Sequence, residues 1–274
     1  MSGNRQLPEI SETDAEGDLA ALYADIRQKM GVPMVALFYR NLAAIPGALP
    51  WMWQIVRPLL AAGRLEAAAA SLPACVDAPA LPRLAISSPE AAQQVREIVQ
   101  AYNRANPFNL TCASLLGAIL QPGAAAPVLE APRGGRLPHA VAHLPEMLPP
   151  DTFSDRLRTA LAALETEDTA GDGIVPSLYR HLAHWPDVLE AAANALAARF
   201  ADGTVLTSAR AVAMRSRAEA ALLLEGAVVA PVPPALAARR EDVVESVRKF
   251  SRRIPEMIVV GRLLADALEE ETKK

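Results

Sequence analysis

Two cysteines, four tyrosines, five phenylalanines and three tryptophans are few for a chain of 274 residues. Cys75 and Cys112 lie far apart and outside any C-x-x-C spacing. A secreted disulfide scaffold and dithiol redox chemistry are therefore both unsupported, and both cysteines read as small apolar core residues. An excess of positive charge is also missing. With 27 Lys and Arg against 31 Asp and Glu, the net charge is −4, which gives no electrostatic reason to expect nucleic acid as a partner. No stretch approaches the ~18 uninterrupted apolar residues of a membrane span. Residues 1–16 are polar and acidic, without an apolar leader, so a cytoplasmic protein is expected.

Several catalytic signatures are absent as well. There is no G-x-G-x-x-G, no glycine-rich loop ending in Lys-Ser/Thr, no H-E-x-x-H and no strand-like alternation of useful length. Nucleotide binding and an α/β enzyme fold lose their usual support. The histidines pair as His139 with His143 and His181 with His184. No nearby cysteine or carboxylate completes either pair, so no metal site is expected and these read as surface or core-edge residues. The basic run Arg239, Arg240, Arg248, Lys249, Arg252 and Arg253 is interleaved with Glu241, Asp242 and Glu245. That pattern suits a solvated helix face with charge pairs one turn apart.

What is present is helix. Hydrophobic residues make up 51% and charged residues 21% of the chain, a globular balance. Thr13 and Glu16 have capping-box spacing ahead of Leu19, Leu22, Tyr23 and Ile26, and Gly31 and Pro33 end that helix. A second helix is expected from Met34 to about Ala44, and a long one through Trp51 and Leu59. Ser88, Pro89 and Glu90 form a good start for a helix to about Arg104. Asn106-Pro107 is expected to open another, with Asn106 as its N-cap. Residues 121–151 then hold seven prolines and three glycines, which reads as a connector.

Beyond residue 152 the signals recur. Tyr39-Arg40-Asn41-Leu42-Ala43 and Tyr179-Arg180-His181-Leu182-Ala183 share Y-R-x-L-A-x-x-P, with the tyrosines 140 positions apart (179 − 39). Asn106-Pro107 through Leu116 is echoed more weakly by Ile254-Pro255 through Leu264. The expected architecture is an all-α pseudo-twofold bundle of ten to twelve helices: repeats at 1–120 and 152–274 joined by the connector, with an active site in a pocket between them.

Segments 31–37 (GVPMVAL), 102–109 (YNRANPFN) and 176–180 (PSLYR) occur in this order within the duplicated halves. Together they resemble the group I 2-haloacid dehalogenase family, from about Asp18 to Leu268. That family is similar in architecture to the alkylhydroperoxidase-D-like helical proteins, whose CxxC chemistry this chain lacks. The resemblance implies cofactor-independent hydrolysis of small 2-haloacids: a carboxylate activates water, asparagine holds it, and halide leaves C2 with inversion. It implies an apolar lining from Met34 and Leu37, where the family has aromatic residues, and from Ile254, Met257 and Ile258. Asn106 and Asn109 match the asparagine-bearing helix start, and Ser177 matches the serine that anchors the substrate carboxylate. The residue after that serine is the family's catalytic aspartate; here it is Leu178.

Leucine accepts no proton. The nearest upstream acid is Asp172, while Asp187 and Glu190 fall on the following helix. Ordinary core filling would equally explain Leu178, Met34, Leu37, Ile254, Met257 and Ile258. The implied partner is a small-molecule carboxylate, with no cofactor, no nucleic acid and no membrane, and the sequence leaves room for a homodimer. Three functions stay open: an impaired or repurposed carboxylate binder, an active hydrolase with its base elsewhere, and an interaction protein with a filled pocket.

Overall fold

The computed structural model describes residues 7–121, 127, 129, 135–139, 143–225 and 227–268. Among these residues all regular structure is helical. Five α-helices precede the connector: α1 (Gly17–Met30), α2 (Leu37–Ala43), α3 (Ala48–Ala61), α4 (Arg64–Ala70) and α5 (Pro89–Leu120). Six follow it: α6 (Asp155–Ala162), α7 (Ser177–Leu182), α8 (Pro186–Ala201), α9 (Thr204–Leu224), α10 (Pro234–Ala237) and α11 (Arg240–Leu268). No helix among the described residues is long and apolar enough to cross a membrane.

Local signals account for several boundaries. The Ser88 hydroxyl accepts the Ala91 N–H at 3.2 Å, with Pro89 in the first turn, so α5 starts where its cap places it. Gly31, at φ 63°, closes α1, and the Val32 N–H returns to the Arg27 carbonyl at 3.1 Å. Gly63 and Gly203 open α4 and α9 at φ 70° and 80°. Their separation is the same 140 positions (203 − 63) that separates the tyrosines, a correspondence that the sequence reading passes over.

Three expectations need correction. Thr13 does not cap α1. The Ser11 hydroxyl instead closes a turn by accepting the Asp14 N–H at 3.1 Å, and the helix begins at Gly17 with no side-chain cap. The second helix begins at Leu37 rather than Met34, because Ala36 is still extended. Most consequentially, Asn106-Pro107 opens no helix. Proline lies inside α5 at position 107 and inside α11 at 255. An interior proline loses one hydrogen bond and costs ~3 kcal/mol. Here residues 105–116 are buried on every side, and that packing outweighs the loss. The Thr111 hydroxyl then donates to the Pro107 carbonyl at 2.8 Å.

Helices α5 and α11 form the axis of the core and pack on each other more extensively than any other pair. Their approach depends on Gly261. A Cβ there would fall 2.2 Å from Asn103 Oδ1, while the Asn103 amide donates to the Gly261 carbonyl at 2.9 Å. Helix α9 packs against both, and α7 and α2 rest on α5 and α11 respectively. The described end of the connector is tied down on α7: Leu148 and Arg180 exchange backbone and side-chain hydrogen bonds.

Candidate functional site

Leu178 is 1% exposed on α7, within one continuous apolar core that also holds Met34, Ile254, Met257 and Ile258. Leu37 packs against the edge of that core. Asn106 and Asn109 are both buried on α5, so Asn106 is an interior helical residue and not an N-cap. Among the described residues its Nδ2 is buried without a hydrogen-bond partner, as is the Tyr179 hydroxyl beside Leu178. Unspent buried polar groups are costly and uncommon, so both mark places where a further acceptor or donor would be stabilising. Ser177 is the half-buried first residue of α7.

A polar cluster one turn further along α7 joins that helix to the first half of the chain. The Tyr102 hydroxyl donates to His181 Nδ1 at 2.7 Å, and His181 Nε2–H donates to the Pro145 carbonyl at 2.9 Å. Burial disfavours the imidazolium and pulls the His181 pKa down to about 4. His181 is thus a buried neutral histidine, not the surface or core-edge residue expected. His184 is exposed and bonds to the Glu146 carbonyl at 2.7 Å. Among the described residues no group of three His, Cys, Asp or Glu is placed to hold a metal ion.

Which carboxylates face the interior decides what chemistry is available. Asp187 is exposed, and Glu190 pairs with Arg156 at 2.6 Å. Among the described residues the fully buried carboxylates are Glu219 and Glu256. Glu219 accepts the Ser71 hydroxyl at 3.0 Å and pairs with Arg215 at 3.7 Å. Glu256, next to Met257, accepts from Thr166 and Thr169 on Oε1 and from Arg253 on Oε2, the last at 3.0 Å. Arg253 also binds both oxygens of Asp172, at 2.8 and 3.0 Å. Desolvation raises the Glu256 pKa, and the Arg253 charge partly offsets it. With five hydrogen bonds from Thr166, Thr169 and Arg253 between them, the Glu256 and Asp172 oxygens are bound groups rather than free bases. Arg253 corrects a further expectation. At 3% exposure it is no part of the solvated basic face, because its acidic partners are Asp172 on the loop before α7 and the buried Glu256, not the exposed acids of α11.

The expected site comprises nine residues: Met34, Leu37, Asn106, Asn109, Ser177, Leu178, Ile254, Met257 and Ile258. A groove of about 1060 Å³ lies between α5, α9 and α11, and its lining is a different set of residues from those nine. Pro255 and Glu256 form part of its wall. The Thr166, Thr169 and Arg253 anchorage of Glu256 went unforeseen, since its four members are up to 90 positions apart.

No protein-family model matches the chain. Over 129 residues it is 30% identical to a configuration-inverting 2-haloacid dehalogenase of Alcaligenes xylosoxydans xylosoxydans, covering 44% of each chain. Over 203 residues it is 26% identical to a configuration-inverting 2-haloacid dehalogenase of Pseudomonas sp. (strain 113), covering 69% of this chain and 66% of that relative. The match thus spans under half the length of the first relative and about two thirds of the second. Solved structures agree over greater length. A D-2-haloacid dehalogenase in complex with L-LA superposes with a TM-score of 0.77 at 16% identity, covering 96% of both chains. A D-2-haloacid dehalogenase mutant gives 0.75 at 15% identity, again covering 96% of both. The chain has the all-helical fold of the D-2-haloacid dehalogenases and is similar in sequence to configuration-inverting members of the 2-haloacid dehalogenases.

Proposed function

We propose that this chain is a 2-haloacid dehalogenase-like protein that binds a small, mainly apolar carboxylate and lacks the water-activating step. One observation carries the reading. The position after Ser177 is a leucine sealed in the apolar core, and the buried carboxylates described are bound by other side chains. Activation of water by general base needs an ionisable group within hydrogen-bond reach, and its loss typically costs ~10²–10⁴-fold in rate. Ser177 and the unspent amide of Asn106 supply donors for a carboxylate or a water, with Asn109 on the same helix. Met34, Leu37, Ile254, Met257 and Ile258 supply the apolar wall.

The parallel order of helices on either side of the connector supports a duplicated scaffold, with Tyr39 and Tyr179 as equivalent residues. A second reading, an active hydrolase inverting C2, is favoured by the similarity to configuration-inverting enzymes. Chloride release from D- and L-2-chloropropionate separates the two. The natural protein is expected to release none above a blank while its melting temperature rises with added 2-chloropropionate. Leu178→Asp is expected to gain weak release with inverted product, and Leu178→Asn none. Chloride release by the natural protein at enzyme-like rates would establish the hydrolase instead.

A further inference from the structure

The groove between α5, α9 and α11 has no part in the reading above. Its hollow arises from small side chains, among them Ala113 and Gly117 on α5 and Ala213 and Ala221 on α9. Its volume of about 1060 Å³ lies at the upper end of ligand pockets, about 300–1,000 Å³, and far exceeds what a three-carbon acid fills. On α9 the lining runs from Leu206 to Leu224, over about five turns of the helix.

Four arginines belong to the lining. Arg210 is engaged by Glu167 and Asp168, at 2.6 and 2.9 Å, and Arg248 by Glu245 at 2.6 Å. Arg217 and Arg252 are exposed and have no ion pair among the described residues. The groove therefore offers a long apolar wall with two guanidinium groups at its solvent edge that hold no close ion pair among the described residues, Arg252 having the Asp168 carboxylate in its neighbourhood. The carboxylates of Glu167 and Asp168 beside it disfavour a polyanion, and the alanine-lined wall disfavours a ligand that is polar throughout.

We propose that this groove binds an amphipathic monoanion: a carboxylate on a medium-length alkyl chain, with the tail along the alanine-lined wall and the head on Arg217 or Arg252. Guanidinium suits this head group because it meets a carboxylate with paired, charge-assisted hydrogen bonds. The site is independent of Leu178, so either proposal can fail without the other.

The test is titration calorimetry of the full chain with sodium decanoate below its micelle concentration, and with 1-decanol as the uncharged control. One-to-one decanoate binding is expected, with decanol at least tenfold weaker. Arg217→Glu combined with Arg252→Glu should weaken decanoate at least tenfold, and Ala213→Trp should abolish binding by filling the groove. All three substitutions lie at exposed or half-buried positions, and circular dichroism checks that the fold survives. Absence of decanoate binding, equal binding of decanol, or binding unchanged by the charge reversals would overturn the proposal. So would sedimentation showing a dimer that Ala213→Trp dissociates, which would give the groove to a second copy of the chain.

Discussion

Arg40 and Arg180, the arginines of the two Tyr-Arg pairs, are ion-paired to the same carboxylate, that of Glu9. The segment that carries Glu9 is held on the first half: the Ile10 N–H donates to the Arg40 carbonyl, and Asn41 Nδ2 donates to the Pro8 carbonyl. Glu9 reaches Arg180 at 3.8 Å from there, so one acid links residues on both sides of the connector. The Arg40 side chain is only 6% exposed.

Neutralising Glu9 leaves that buried guanidinium without its counter-charge. Breaking a buried pair costs about 3–5 kcal/mol, and the partial exposure of Glu9 lowers the expectation for Glu9→Gln to about 2 kcal/mol. Urea denaturation measures it, and an unchanged midpoint would mean that the shared carboxylate contributes nothing.

His181 should make stability depend on acid. Its folded pKa, about 4, lies below the ordinary value of 6.5. Between these values the unfolded chain binds a proton that the folded chain refuses, so stability is fully present above about pH 6.5. It is lost as pH falls toward 4. The span corresponds to up to about 3 kcal/mol. His181→Gln should flatten this part of the pH–stability curve, and an identical slope in that variant would assign it to other groups.

Gly261→Ala must displace the Asn103 amide, since its Cβ would meet Oδ1 at 2.2 Å. The expected cost is about 1–3 kcal/mol. Asn103→Ala in the same chain should recover part of it. Strict additivity of the two changes by thermal denaturation would show that this contact is not the source.

Leu178→Asp sets stability against activity. Burial raises the pKa of an aspartate there above its unfolded value, so its penalty is small in acid and grows as pH rises through the folded pKa. Chloride release needs the ionised form and should rise over the same interval. A pH–rate profile and a pH–stability profile that fail to move in opposite directions would place the new carboxylate in contact with solvent, not in the core.

Much of the fold was legible locally. The Ser88 cap, the Gly31 stop and the recurrence of Y-R-x-L-A-x-x-P act over a few residues, and their consequences appear in α1, α5, α2 and α7. Pro107 misled for a physical reason. A proline is read from sequence as a break, but a few kcal/mol of local cost yields to burial that only the packed partner supplies. The site residues show the same division. The sequence by itself determined that the position after Ser177 carries no proton acceptor, because that is a matter of side-chain chemistry. Only the tertiary structure decided that Glu256 and Asp172 are occupied by Arg253 and two threonines, and that a groove opens along α9. Those outcomes depend on side chains 80 to 90 positions apart meeting in one place, and no local spacing rule encodes such a meeting.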